Sequence, residues 1–213
     1  MTPLLNTLLV VVLMLNLFAL GTSRIVSMIR TIAIQGALLG LLPLLLHKPF
    51  TVITLLTVIP TIALKGIVIP AIMIRAMRDV KIRREVEPLI GLKSSVVLGA
   101  LAAVFALLFA DQLPMVNLHH GSLIVPAAIA TFLAGFILLT TRFKALTQIV
   151  GYLVLENGVF IFGLLLVEAM PFAIEMGVLL DLFVGIFVIC IIVNQINRAF
   201  ASTDTRRLVL LKE

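Results

Sequence analysis

The chain has 213 residues, 62% of them hydrophobic and 12% charged, with a mean hydropathy of +1.27 and a formal net charge of +6. Soluble domains run nearer about 45–50% apolar and about 25% charged, so a single water-facing globule is excluded and a polytopic membrane protein is expected. One cysteine, Cys190, excludes an intramolecular disulfide framework and any multi-cysteine iron–sulfur or zinc site.

A spanning helix needs about 20 largely apolar residues. Seven segments meet that requirement, at 3–21, 26–46, 50–74, 94–113, 122–141, 147–167 and 173–197. The first has no basic residues ahead of its apolar run, so it reads as a permanent span rather than a cleaved signal. Short links force neighbouring spans to run antiparallel, which predicts an all-α polytopic transmembrane helical bundle. The longest link, "RAMRDVKIRREVEPLIGLK" at 75–93, is a charged loop. Pro43, Pro60 and Pro70 predict bends that free backbone carbonyls. Gly151, Gly158, Gly163 and Gly185 predict close helix approach. Asn6, Asn16, Gln35, Gln148 and Asn157 read as hydrogen-bonding glue between helices. The adjacent His119 and His120 in "NLHHG" read as an outer-loop cap, because two neighbouring histidines do not make a metal site.

Of the sixteen lysines and arginines, fourteen fall in alternate links, at their edges (Arg30) or in the tail. Lys48 stands alone in the opposite links, and Lys65 lies inside a span. By the positive-inside rule this predicts an outside N-terminus and a cytoplasmic C-terminus. The positive charge is therefore a topology signal and not a nucleic-acid footprint.

Most acids sit in loops. Inside the apolar segments remain Lys65, Glu156 and Asp181, with Glu175 near the outer edge. Glu156 is about ten residues from either end of its span and Lys65 ten residues before Arg75, so each lies roughly 15 Å deep. Asp181 lies roughly 12 Å from the outer edge. A charge at that depth costs at least about 2.5–3.5 kcal/mol and marks an ion pathway by default. Removal from water disfavours charged forms, which brings proton exchange within reach of neutral pH. These three residues are the candidate proton relay, with Asn157 and Glu175 as supporting polar groups. The bland alternative is a fixed ion pair between Lys65 and Glu156 that locks two helices.

The residues that carry a family resemblance are "TRFKALTQIVGYLVLENGVFIF", with Glu156 mid-span, and "EMGVLLDLFVGIFVICIIVNQINR", with Asp181 four residues before Gly185. Together they resemble the K subunit of respiratory complex I, a three-span unit with one glutamate in its second span and another in its third. The whole chain resembles more specifically component E of hydrogenase-4-type membrane complexes. "GYLVLENG" at 151–158, then Glu175, Gly177 and Asp181, and "LKGIVIPAI" in the first half carry that likeness. The resemblance implies a four-span extension at 1–113, a K-like unit at 122–198 and a cytoplasmic tail at 199–213. By it, Glu156 and Asp181 stand where the K subunit has its two glutamates, Asp181 shorter by one methylene, while Lys65 has no counterpart there.

The resemblance further implies a membrane-arm subunit of an energy-converting oxidoreductase in the plasma (inner) membrane of a prokaryote. Its partners would be antiporter-like and other membrane-arm subunits, a peripheral hydrogenase or oxidoreductase module, and the lipid bilayer. Nickel–iron and iron–sulfur centres would reside in those partners and no cofactor in this chain. Two alternatives stand beside it: a structural membrane adaptor in such a complex, and a subunit of a multi-subunit cation/proton antiporter.

Overall fold

A computed structural model describes residues 2–46, 58–79, 88–112 and 122–166. The seventh predicted span with Glu175, Asp181, Gly185 and Cys190, the histidine pair and the tail lie outside the described residues.

Among the described residues, six helices are long and apolar enough to cross a membrane: Pro3–Gly21, Ile25–Leu45, Val58–Arg75, Leu92–Ala110, Ile124–Thr141 and Leu146–Leu164. The protein is a multi-pass membrane protein, all-helical through its described spans. Helix α1 (Thr2–Gly21) takes Pro3 in its first turn, where a missing N–H leaves no ladder bond unmade, and stops at Gly21. Helix α2 (Ile25–Gly40) breaks at Leu41 and resumes as the short α3 (Leu42–Leu46), with Pro43 at its start. The bend expected at Pro43 is this break.

The third span departs from α geometry. Over Ile62–Val68 it is wound as a π-helix, with the Ile69 N–H donating to Leu64 O five residues back. Helix α4 (Ile69–Asp79) continues the span. Pro70 explains part of this. It has no N–H for the carbonyl four residues earlier, so a regular α ladder cannot pass through that turn. Helices α5 (Leu92–Ala110), α6 (Ile124–Thr141) and α7 (Ala145–Leu166) complete the bundle. Helix α5 ends three residues short of the expected boundary at 113, because the chain turns at Asp111.

Among the described helices, the α6–α7 pair has the most extensive contact. Its seam is built on glycine. A Cβ at Gly135 would overlap the backbone of Leu155, and one at Gly158 would overlap the backbone of Phe132. With those side chains absent the two backbones touch, which is how helices gain van der Waals contact where lipid offers no hydrophobic drive. No described residue lies within 4 Å of a Cβ at Gly163. Helix α1 packs against α2, α5 and α6, while α2 packs against the third span and α7. Helix α5 exposes Leu101, Phe105 and Leu108, a surface expected to face lipid.

The end of α1 and the turn between α6 and α7 meet at one end of the bundle, since Arg142 Nη2 donates to Leu20 O at 2.7 Å. Leu89 N also donates to Thr141 O there at 2.8 Å, and Pro88 forms an isolated antiparallel bridge with Arg142. The starts of α2, α5 and α7 lie at the same end. It gathers Arg24, Lys93, Arg142 and Lys144, and is called the base-rich end below.

Candidate ion-relay site

Lys65 lies at the middle of the π-helical segment. There α2 comes close, because a Cβ on Gly36 would stand 2.7 Å from Lys65 Cβ. The side chain extends past α2 to α7. Lys65 Nζ is 2.9 Å from Glu156 Oε1 and donates to Asn157 Oδ1 at 3.4 Å. It also stands 4.9 Å from the centroid of the Phe160 ring, a cation–π contact. Glu156 and Phe160 are four residues apart on α7, so both face the ammonium from one side of the helix.

Lys65 exposes 7% of its surface and Glu156 6%. Their pairing answers the question the sequence posed, how a carboxylate is tolerated in a lipid-length apolar run. Two of the three predicted relay residues, with Asn157, meet in one buried centre. They come from opposite halves of the chain, 91 residues apart in sequence. Asp181 and Glu175 lie outside the described residues.

The arrangement has definite chemical capacity. A carboxylate paired with an ammonium holds its charge only while the partner holds its own, since each stabilises the other by Coulomb attraction in a medium of low dielectric. The irregular winding gives Lys65 a direction that a straight helix would not. π-Helical turns recur at functional sites.

A second polar cluster lies inside the bundle. Asn16 Nδ2 on α1 donates to Thr131 Oγ1 on α6 at 2.8 Å, and Gln35 Nε2 on α2 donates to Asn16 Oδ1 at 2.9 Å. Asn16 and Gln35 are thus the interhelical glue expected of them. Asn6 Oδ1 similarly accepts from Leu123 N at the opposite end of the bundle. Gln148 departs from that expectation: its Nε2 donates to the carbonyl of Arg142, within its own turn, at 3.0 Å.

Sequence reasoning missed Arg142. It reads as one more basic topology residue, yet it is 0% exposed. Its Nη2 meets the Leu20 carbonyl at the C-terminus of α1, where the helix dipole favours a cation. Its Nε and Nη1 have no hydrogen-bond partner among the described residues. Burial pushes the guanidinium below its ordinary pKa. Thr131 and Phe160 were missed as well. A lone hydroxyl in an apolar run gives no signal, but the i, i+4 spacing of Phe160 from Glu156 did.

"Uncharacterized protein Rv0085" of Mycobacterium tuberculosis is 34% identical over 191 residues, covering 88% of this chain and 86% of the relative. Hydrogenase-4 component E of Escherichia coli and that of Shigella flexneri are each 28% identical over 151 residues, 70% of this chain and 68% of the relative. No family model matches, and no solved structure is similar. The chain belongs to the same family as the Mycobacterium tuberculosis protein, and the hydrogenase-4 components are its distant relatives.

Proposed function

We propose that this protein is a membrane-arm subunit of an energy-converting oxidoreductase of the group 4 hydrogenase or complex I-like kind. It contributes Glu156, Lys65 and Asp181 to proton or sodium translocation coupled to electron transfer. The observation that carries the reading is the buried Lys65–Glu156 contact of 2.9 Å on a π-wound span. The distant likeness to a hydrogenase-4 component supports the complex.

In this reading the base-rich end faces the cytoplasm of a prokaryotic cell and the C-terminal spans form the K-like unit. Antiporter-like subunits lie alongside in the membrane, and a peripheral oxidoreductase module holds the metal centres. When a neighbouring group gains or loses a proton, the Coulomb field at Glu156 changes and the pair releases or takes up its own. Asp181 continues the path.

The test is ion uptake by vesicles carrying the assembled complex, wild type against Glu156→Gln, with electron transfer followed in parallel. The substitution keeps size and hydrogen bonding but cannot titrate. Loss of uptake with electron transfer retained is the expected result. Normal uptake would move the protein to the structural-adaptor reading, with the ion pair as a lock between two helices.

A further inference from the structure

The two polar clusters lie side by side at one level of the bundle. Lys65 Cβ rests on Gly36, where an added Cβ would stand 2.7 Å from it. Gln35 is the residue before that glycine, one Cα step of about 3.8 Å away. On the other side Gly158 fits against Phe132, so Asn157 of the ionic centre and Thr131 of the neutral chain are each one residue from that contact. The seam between α2 and the third span is made of small residues, since Gly66 lies against Ala37 as Gly36 does against Lys65. Gly36 thus leaves the root of the lysine with no α2 side chain over it.

The neutral chain has an open end. Gln35 Nε2 donates to Asn16 Oδ1 and Asn16 Nδ2 donates to Thr131 Oγ1, so both amides point nitrogen-first toward α6. Their dipoles add, and the negative end of the row is Gln35 Oε1. Gln35 is 1% exposed, and that oxygen has no hydrogen-bond partner among the described residues. A buried acceptor left without a donor costs stability. Hydrogen bonds in a row polarise one another, so the free oxygen attracts a cation more strongly than an isolated amide does. The row therefore presents its negative end next to the residue that seats a buried lysine.

A relay makes a demand that the resting pair does not meet. While the ammonium stands 2.9 Å from Glu156, a proton arriving on the carboxylate cancels the Coulomb attraction that holds both groups. The lysine is then a buried charge without its counter-charge. We propose that Gln35 Oε1 is the second station of the Lys65 ammonium. When a proton binds the Glu156 carboxylate, Lys65 keeps its own proton and swings past Gly36 to Gln35. When Glu156 gives the proton up, the lysine returns. One acceptor replaces another, so the lysine uses on Gln35 the N–H it uses on Glu156. The movement is a rotation of its flexible four-carbon stem and leaves the helices where they are. Asn16 holds the amide of Gln35 by the other side and does not meet the lysine, so the role belongs to Gln35 rather than to the whole chain. The inference rests on the relay reading above and adds the residue that receives the cation.

The experiment uses the assembled complex. High-resolution maps compare the wild type with Glu156→Gln, whose amide stands for the protonated carboxyl. Vesicles compare ion uptake per electron for the wild type, Gln35→Met and Glu156→Gln. Methionine keeps the length of glutamine but has no carbonyl. The expected results are Lys65 on Glu156 in the wild-type map, Lys65 Nζ within hydrogen-bond distance of Gln35 Oε1 in the Glu156→Gln map, and uptake lowered roughly ten- to a hundredfold in Gln35→Met. If Gln35→Met does not assemble, Gln35→Leu takes its place, and the maps decide independently. A lysine found anywhere but on Gln35 in the Glu156→Gln map overturns the station, even if uptake falls in the Gln35 variant, which then has a structural role only. Full uptake in an assembled Gln35 variant overturns it as well. Loss of uptake in Glu156→Gln would then leave the relay standing without it. Full uptake in Glu156→Gln overturns the relay and, with it, the use of the station.

Discussion

The bundle encloses two polar clusters that solve the same problem differently. Lys65, Glu156 and Asn157 form an ionic centre on an irregular span. Thr131, Asn16 and Gln35 form a neutral chain across three helices. The neutral chain needs only complementary donors and acceptors, and helices α1, α2 and α6 supply them without distortion. The ionic centre needs an opposite charge at contact distance, and the third span abandons α geometry where it supplies one. A protein that wanted only to hold helices together could use the neutral solution twice. The presence of the ionic one is what makes a function worth seeking there.

The contrast can be broken by mutation, beginning with the largest expected effect. Lys65→Met leaves Glu156 without its ammonium, and breaking a buried pair costs about 3–5 kcal/mol. Denaturant unfolding of the purified protein in detergent should register this, and adding Glu156→Gln should recover most of it. A Lys65→Met protein as stable as wild type would show that the pair contributes nothing to the fold. Next comes the glycine seam. Gly158→Leu drives a side chain into the Phe132 backbone and should cost about 1–3 kcal/mol or more, whereas Gly163→Leu should cost far less. Equal losses at the two positions would contradict the seam as described.

The neutral chain should respond more weakly. Asn16→Leu is expected to cost about 0.6 kcal/mol, up to about 1.7, in the same assay. Ion uptake should persist in that variant, and its loss would give the neutral chain a share in transport. Arg142→Met should give the smallest change, within about 1 kcal/mol, because the methionine removes a desolvated charge together with its one described side-chain hydrogen bond. A loss above about 3 kcal/mol would mean that the guanidinium has a carboxylate partner.

Much of this was legible in the sequence. Apolar length alone located the six described spans, because the bilayer fixes how long a helix must be. Counting residues to the span ends put Lys65 and Glu156 at one depth, and they meet. What stayed hidden depends on rotation about a helix axis rather than on depth. Nothing in the pattern around Arg142 tells a buried guanidinium from a solvated one, since both sit in a short link beside other bases. The π winding was equally opaque. Pro60 and Pro70 announce irregularity but not its form. Gly163 and Gly158 look alike in the sequence, yet among the described residues only Gly158 of the two meets a neighbouring backbone.

The π-helical turn also sets the phase of everything after it. A π turn takes one residue more than an α turn, so the two parts of the third span are offset by about 100° from the register a continuous α-helix would give them. Lys65 on one side of that offset reaches α7, while Met73 and Met77 beyond it lie in the core among α2 and α7 residues. Deleting a single residue such as Ile67 would remove that offset without shortening the span below membrane length. The lysine and the methionines could then no longer face inward together. The extra residue works as a spacer in angle rather than in length, so this span is sensitive to the number of its residues as well as to their identity.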